Sequence, residues 1–537
     1  MSDNNESRTN QPIDSTISDR RTVLKGLGAA AIGAPLLASR RTSAGAAYDT
    51  YDDDYGTVID VTDKGADDTG NQSVSGLVQG LLDDNGDDTL LKFPQGEYYM
   101  DEQVSMSNFN HVGIFGPEAT LVPADYHNFT YADGNPSDMQ LFSFGRVDNC
   151  SSNDLLFQGF EVDQTADDTG IRVIEAAVND GLEVYEIDIY GRHDSGTYGP
   201  GRFNIRSSSG TGIVDNFRAP DGAAHVSETP NDGNLWRGPT GIVNNKHVGE
   251  LTIKHCTIKG FPDNGVYADD GDGKRIIYGG LFGTSATAAL RIGGIDSVVK
   301  YPTIHIDTTR PNFQKPGGIR IEDGTNVLVR DATITLDAAH EGMQGIVVMD
   351  ACQSATVRNV DISSTSSEAI HGIVANPGCG PLTVEDTTID WSPAGGYGVW
   401  IKGESSPANV TLDNVTITDG ASVTGAGFRE GIRNDREDTT LTDVEVTQTS
   451  SSDRHALWNR ADHSHVNGGT YEAQKYGILD ESGFTKYDGI TAKSQRGNEG
   501  VRLLDASHDI QIYNSTLYNG IRDDGCAGLD TSNNTIK

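Results

Sequence analysis

Cysteine is scarce. Cys150, Cys256, Cys352, Cys379 and Cys526 are scattered over 537 positions with no CxxC pair and no Cys/His cluster. That excludes a disulfide-built scaffold and a zinc module, and leaves buried thiols as the reading for Cys352 and Cys379. Lysine is scarce too: 14 Lys stand beside 26 Arg, and 78 acidic residues outnumber both. A net charge of -38 spread along the whole chain excludes a nucleic-acid partner, which needs a basic face. No GxSxG phrase and no phosphate loop occurs. Past residue 46 no apolar run reaches the ~20 residues a membrane helix needs. Hydrophobic content is only 35%, too thin for long buried helices but suited to many short strands.

Acid and glycine are abundant. The Asp-rich, Lys-poor surface resembles that of haloarchaeal proteins, in which hydrated carboxylates hold a chain soluble in molar salt. There the Debye length falls to about 3 Å, so self-repulsion is screened. Near the N-terminus, "SDRRTVLKGLGAAAIGAPLLASRRTSAGA" places Arg20-Arg21 before an apolar run and Ala44-Gly45-Ala46. The segment 1–46 resembles a twin-arginine export signal, which implies a secreted or cell-surface protein that is exported folded.

A phrase recurs. A small residue followed by an apolar one stands at 265, 289, 318, 345, 372, 398, 431, 456, 477, 500 and 520, as in GGIRIE, QGIVVM, HGIVAN, YGVWIK and YGILDE, with spacings from 20 to 33 residues. Between copies lie alternating β-branched strands broken near Asn or Asp, such as "TNVLVRDATITL". One such unit cannot cover its own apolar residues, but stacked copies can, each coil pairing in parallel with the next at about 4.8 Å. Leucine-rich repeats would need an LxxLxL frame, and propeller blades would need hairpins. A stacked jelly-roll sandwich is the competing architecture.

The reading is an all-β, right-handed parallel β-helix with a short N-terminal capping helix at Ser73 to Leu82. Beyond the signal, the expected organisation is a linker at 47–57 and the cap with first coils at 58–125. Irregular coils with a long lateral loop follow at 126–245, regular coils at 246–524 and a tail at 525–537. "GADDTGNQS" and "FPQGEYY" within Val58 to Gly116 resemble the opening of pectate-lyase-superfamily β-helix proteins. Asp67, Asp68 and Gly70 are read as a turn.

Side chains alternate along a strand, so the residue after each small one points in and the next points out. The outward column is Tyr267, Arg291, Arg320, Val347, Val374, Trp400, Arg433, Trp458, Leu479, Arg502 and Arg522, with Asp269, Glu322, Met349, Asn376, Lys402 and Asp435 two residues on. Aromatic faces stack on sugar rings, and cations pair with carboxylated sugars. Tyr267, Arg291, Trp400, Arg433 and Trp458 are therefore candidate glycan-binding residues for a polysaccharide or cell-envelope glycan.

Two chemistries suit the strip. A uronate lyase needs the substrate carboxylate neutralised by Arg, Lys or Ca²⁺ and a base for the C5 proton; Arg320, His340, His371 and Lys402 are the candidates. No protein metal site is expected. A glycosidase needs a carboxyl pair, for which Asp269, Asp270, Glu322, Asp323 and Asp350 are available. Asp269-Asp270, Ile370-His371-Gly372 and Trp400-Ile401-Lys402 echo the DD, GHG and RIK phrases of polygalacturonase-like hydrolases, although no NTD phrase occurs. A non-catalytic, adhesin-like glycan-binding solenoid is the alternative, and the oligomeric state is left open.

Overall fold

The computed structural model describes residues 48–537 apart from 130–134, 136–137, 232–234, 311–315, 394, 404–407, 422–429 and 451. The expected export signal lies outside the described residues. The chain is a right-handed parallel β-helix. One sheet of 16 strands runs unbroken from Val104–Met106 to Ile521–Asp523. A second, larger sheet turns a corner and so supplies two further rows, exemplified by Val327–Arg330 and Thr333–Leu336 in a single coil.

Register follows the repeated phrase. Leu290, Ile319, Ile346, Ile373, Val399, Ile432, Leu457, Ile478 and Val501 are successive partners in one inward column. All nine are buried. Truncating one of them to Ala removes burial and leaves a cavity, costing about 2–5 kcal/mol. The small residue before each inward one has its own reason. A Cβ added at Gly318, Gly345, Gly372 or Gly398 would lie 2.2, 2.7, 2.3 or 2.8 Å from the carbonyl oxygen of the next coil's glycine. The coils pass too closely there for a side chain.

At the N-terminal end helix α1, Ser75–Asn85, buries Val78 and Leu82 and covers the first coils, starting two residues later than expected. Asp67 makes the anticipated turn: Oδ1 accepts from the Thr69 hydroxyl at 2.6 Å, and Oδ2 from the Asn71 and Gln72 amides at 2.8 and 2.6 Å. Three expected boundaries differ. The stretch expected as a linker is tied down, with Tyr48 donating to Asp60, Tyr51 to Gln158, and the Tyr55 ring stacked on His111 at 4.1 Å. Aromatic area repays the ordering of the segment. Among the described residues the region 126–245 forms regular rungs, such as Arg172–Val178 with Gly201–Ile205, and the strands on either side of the expected lateral loop are Thr211–Ala219 and Ile242–Val243. The expected tail forms a further coil, Asp530–Ser532 and Thr535–Ile536, because it carries the same strand phrase. Among the described residues the five cysteines form no disulfide, and Cys256, Cys352 and Cys379 are buried.

Candidate functional site

The outward strip exists as a physical row. Tyr267, Arg291, Arg320, Val347, Val374, Trp400, Arg433, Trp458, Leu479, Arg502 and Arg522 are consecutive partners on the 16-stranded sheet. Neighbours thus stand ~4.8 Å apart along the axis. Val347, Val374 and Leu479 occupy outward positions yet are buried, so the strip is open only in parts.

Its lower part is closed by charge pairing. Arg291 Nε donates to Asp269 Oδ2 at 2.5 Å, and its Nη2 stands 3.5 Å from Glu322 Oε1. Arg320 chelates Glu322 through Nε and, at 2.9 Å, through Nη2. The Arg291 guanidinium also lies 4.3 Å over the Tyr267 ring. Asp269 is only 2% exposed, and burial pushes its carboxyl up against the opposing pull of Arg291 and Tyr267. Asp270 leaves the row: it is exposed and sits in a left-handed turn at φ 61°. Asp323 accepts from the Gly294 amide at 3.1 Å. Asp269, Glu322 and Asp323 are thereby committed to guanidinium or backbone partners, while Asp270 and Asp350 stand exposed.

Farther along, rings replace carboxylates. A cavity of about 430 Å³ opens on the strip, lined by Glu341, Gln344, Ala369, His371, Trp400 and Lys402. His371 packs its ring on Tyr397 at 5.4 Å, nearly parallel, and against Trp400 at 5.2 Å. The Tyr397 backbone amide donates to His371 Nδ1 at 3.1 Å. The neutral imidazole therefore carries its proton on Nε2. Lys402 Nζ lies 4.6 Å over Trp400 and donates to Asn376 Oδ1 at 2.8 Å. Trp400 Nε1 donates to Asp435 Oδ2 at 2.9 Å, and Arg433 Nε reaches the same oxygen at 2.7 Å. Arg433 Nη1 donates to the Tyr397 hydroxyl at 2.7 Å, with its guanidinium 5.0 Å over Trp458. Burial disfavours the Arg433 cation, but hydrogen bonds to Asp435 and Tyr397 outweigh it and raise its pKa.

Asp269, Glu322, Arg291, Arg320 and Tyr267 thus form one group, and His371, Trp400, Lys402, Arg433 and Trp458 another, about three rungs higher. Sequence reasoning missed Tyr397 and Arg460, whose Nη1 holds Asp435 Oδ1 at 2.8 Å. A signal for Tyr397 was present. In HGIVAN, YGVWIK, HALWNR and YGILDE the residue before the small one is His or Tyr. Those positions stack in space, His455 on Tyr476 at 5.7 Å repeating His371 on Tyr397. The second copy carries Leu479 and Glu481 where the first has Trp400 and Lys402. The stacked corner is therefore scaffold, and Trp400 and Lys402 are what the first copy adds.

Among the described residues no group of three His, Cys, Asp or Glu side chains is arranged to hold a metal ion. Among the described residues no helix is long and apolar enough to cross a membrane.

No protein-family model matches the sequence, and no curated protein does. Solved structures of similar fold include the A-module of an Azotobacter vinelandii mannuronan C-5 epimerase, at 11% identity over 89% of this chain and 99% of that one, TM-score 0.38. A surface adhesin of Streptococcus pneumoniae matches at 12% identity over 89% and 93%, TM-score 0.30. A family 28 exopolygalacturonase of Yersinia enterocolitica matches at 11% over 90% and 78%, TM-score 0.29.

Proposed function

We propose that the protein is an exported, salt-adapted β-helix that acts on an acidic, uronate-containing glycan, with the cavity at His371, Trp400 and Lys402 as its sugar site. The observation that carries this reading is that His371 of one coil and Trp400 and Lys402 of the next converge on one cavity holding a ring face, a cation and an imidazole N–H donor. The Trp400 face takes a sugar ring, and the Lys402 ammonium takes its carboxylate and so lowers the barrier to losing the C5 proton. The Glu341 carboxylate lining the same cavity is the base that accepts this proton and returns it to the departing glycosidic oxygen. His371, part of the stacked scaffold, borders the same cavity, where its Nε2–H offers a hydrogen bond to a sugar hydroxyl. Lyase chemistry fits better than hydrolysis because Asp269, Glu322 and Asp435 are each held by arginine.

A non-catalytic glycan-binding solenoid is the second reading, favoured by that same internal pairing of the strip's arginines. Incubation with polygalacturonate, alginate and neutral glucan separates the readings. New unsaturated ends support a lyase, new reducing ends without unsaturation a hydrolase, and retention without cleavage a binder. Neither cleavage nor retention with any uronate polymer removes the proposal.

A further inference from the structure

We propose that a second face of the coil, remote from the cavity strip in the strand order, binds an anionic glycan. On the larger sheet Lys254, Tyr278, Lys300, Arg330 and Arg358 are successive partners. In a chain of charge -38, five adjoining rungs thus present four cations in a row bounded by Asp215 before Lys254 and Glu385 after Arg358, and Lys300 stands over two exposed rings. Lys254 pairs with Asp215 at 2.9 Å, Arg330 with Asp331 at 3.4 Å and Arg358 with Glu385 at 3.4 Å. Among the described residues Lys300 has no ion pair. Its ammonium stands 4.6 Å over the ring of Tyr301 and 5.6 Å over that of Tyr278.

Tyr301 is the telling residue. The position just after this strand is left-handed in coil after coil: His255, Asp331, Asn359, Asp386, Asn414 and Asp443 have φ between 47° and 54°, and Tyr301 has 59°. Asn, Asp and Gly adopt that conformation most easily, and a bulky aromatic is an outlier there. The strained tyrosine is not there to fill the core, since its ring is 47% exposed and packs edge-on against Tyr278, itself 38% exposed, at 5.6 Å. Strain kept at an exposed ring points to a ligand. Two ring faces suit sugar, and the Lys300 ammonium between them, backed by Arg330 and Arg358, suits carboxylate or sulfate.

The test uses the full chain with the cavity disabled by Trp400→Ala and Lys402→Ala, so that its result is independent of the proposed sugar site. Binding to polygalacturonate, dextran sulfate and uncharged dextran is measured by titration calorimetry. The cavity variant is expected to retain binding to one or both anionic polymers and not to dextran. Adding Lys300→Ala and Tyr301→Asn is expected to weaken that binding at least tenfold. Preference between the two polymers identifies carboxylate or sulfate as the group recognised. Tyr301→Asn alone is expected to raise the melting temperature, which a structural tyrosine would not do. No anionic binding in the cavity variant, equal binding of dextran, binding indifferent to the added substitutions, or a lower melting temperature for Tyr301→Asn would each overturn the proposal.

Discussion

The rungs from Tyr267 to Glu322 and those from His371 to Trp458 use the same outward positions of one sheet but do different things with them. In the first, Arg291 and Arg320 bind Asp269 and Glu322, so charges cancel within the molecule and fasten neighbouring coils. In the second, the arginine's carboxylate, Asp435, is drawn down beneath rings, leaving Trp400 and Lys402 to line a cavity. A strip of cations is therefore not in itself a site for an anion. Lys402 differs in standing over Trp400 and donating to Asn376 where a cavity opens on the strip.

Breaking the first region should affect stability most. Arg291→Ala leaves the buried Asp269 carboxylate without its main counter-charge, and unfolding in urea should show a loss of about 3–5 kcal/mol. Lys402→Ala, at the cavity, should change the same measurement by less than about 1 kcal/mol. Next in size, Trp400→Ala should weaken retention on a uronate polymer at least tenfold, about 1.4 kcal/mol or more, while Trp400→Phe recovers part of it. Read by affinity electrophoresis, an unchanged mobility would place the sugar elsewhere. Lys402→Gln should lower affinity for polygalacturonate about tenfold and leave that for a neutral polymer nearly unchanged. Equal losses on both would mean that Lys402 only props up Trp400.

The smallest effect is one of pH. Burial raises the Asp269 carboxyl above its unfolded value of ~3.9 despite Arg291 and Tyr267. An acid so shifted holds its proton more tightly when folded. Stability gained from it grows as pH falls from the native pKa toward ~3.9, and is lost as pH rises through the native pKa. Urea midpoints measured from pH 4 to 7 should lose this component of their slope in Asp269→Asn, with no such change in Lys402→Gln.

The repeated phrase made the coil legible. Gly345, Gly372 and Gly398 marked the close approach of successive turns, and Ile346, Ile373 and Val399 marked the face turned inward. The register of Arg320, Val347, Val374 and Trp400 followed, because pairing one rung on the next leaves no freedom of slip once the apolar side is buried. The commitment of Asp269 to Arg291 was not legible. Arg291 could point along the axis either way, and its choice depends on where Tyr267 and Glu322 present their atoms. Nor was the burial of Val347 and Val374, which alternation alone assigns to the surface. Tyr397 was within reach, since it stands in line with His371, His455 and Tyr476, but its role required seeing the stacked rings.

The order of residues by itself determined the periodicity, the parallel stacking and the row to which each outward side chain belongs, because these follow from alternation and the need to bury one side of every strand. Only the tertiary structure decided which charges of that row find partners inside the molecule. Long side chains choose among neighbours by geometry and local polarity, and the candidates include residues on other coils, twenty or more residues away, as Asp269 is for Arg291.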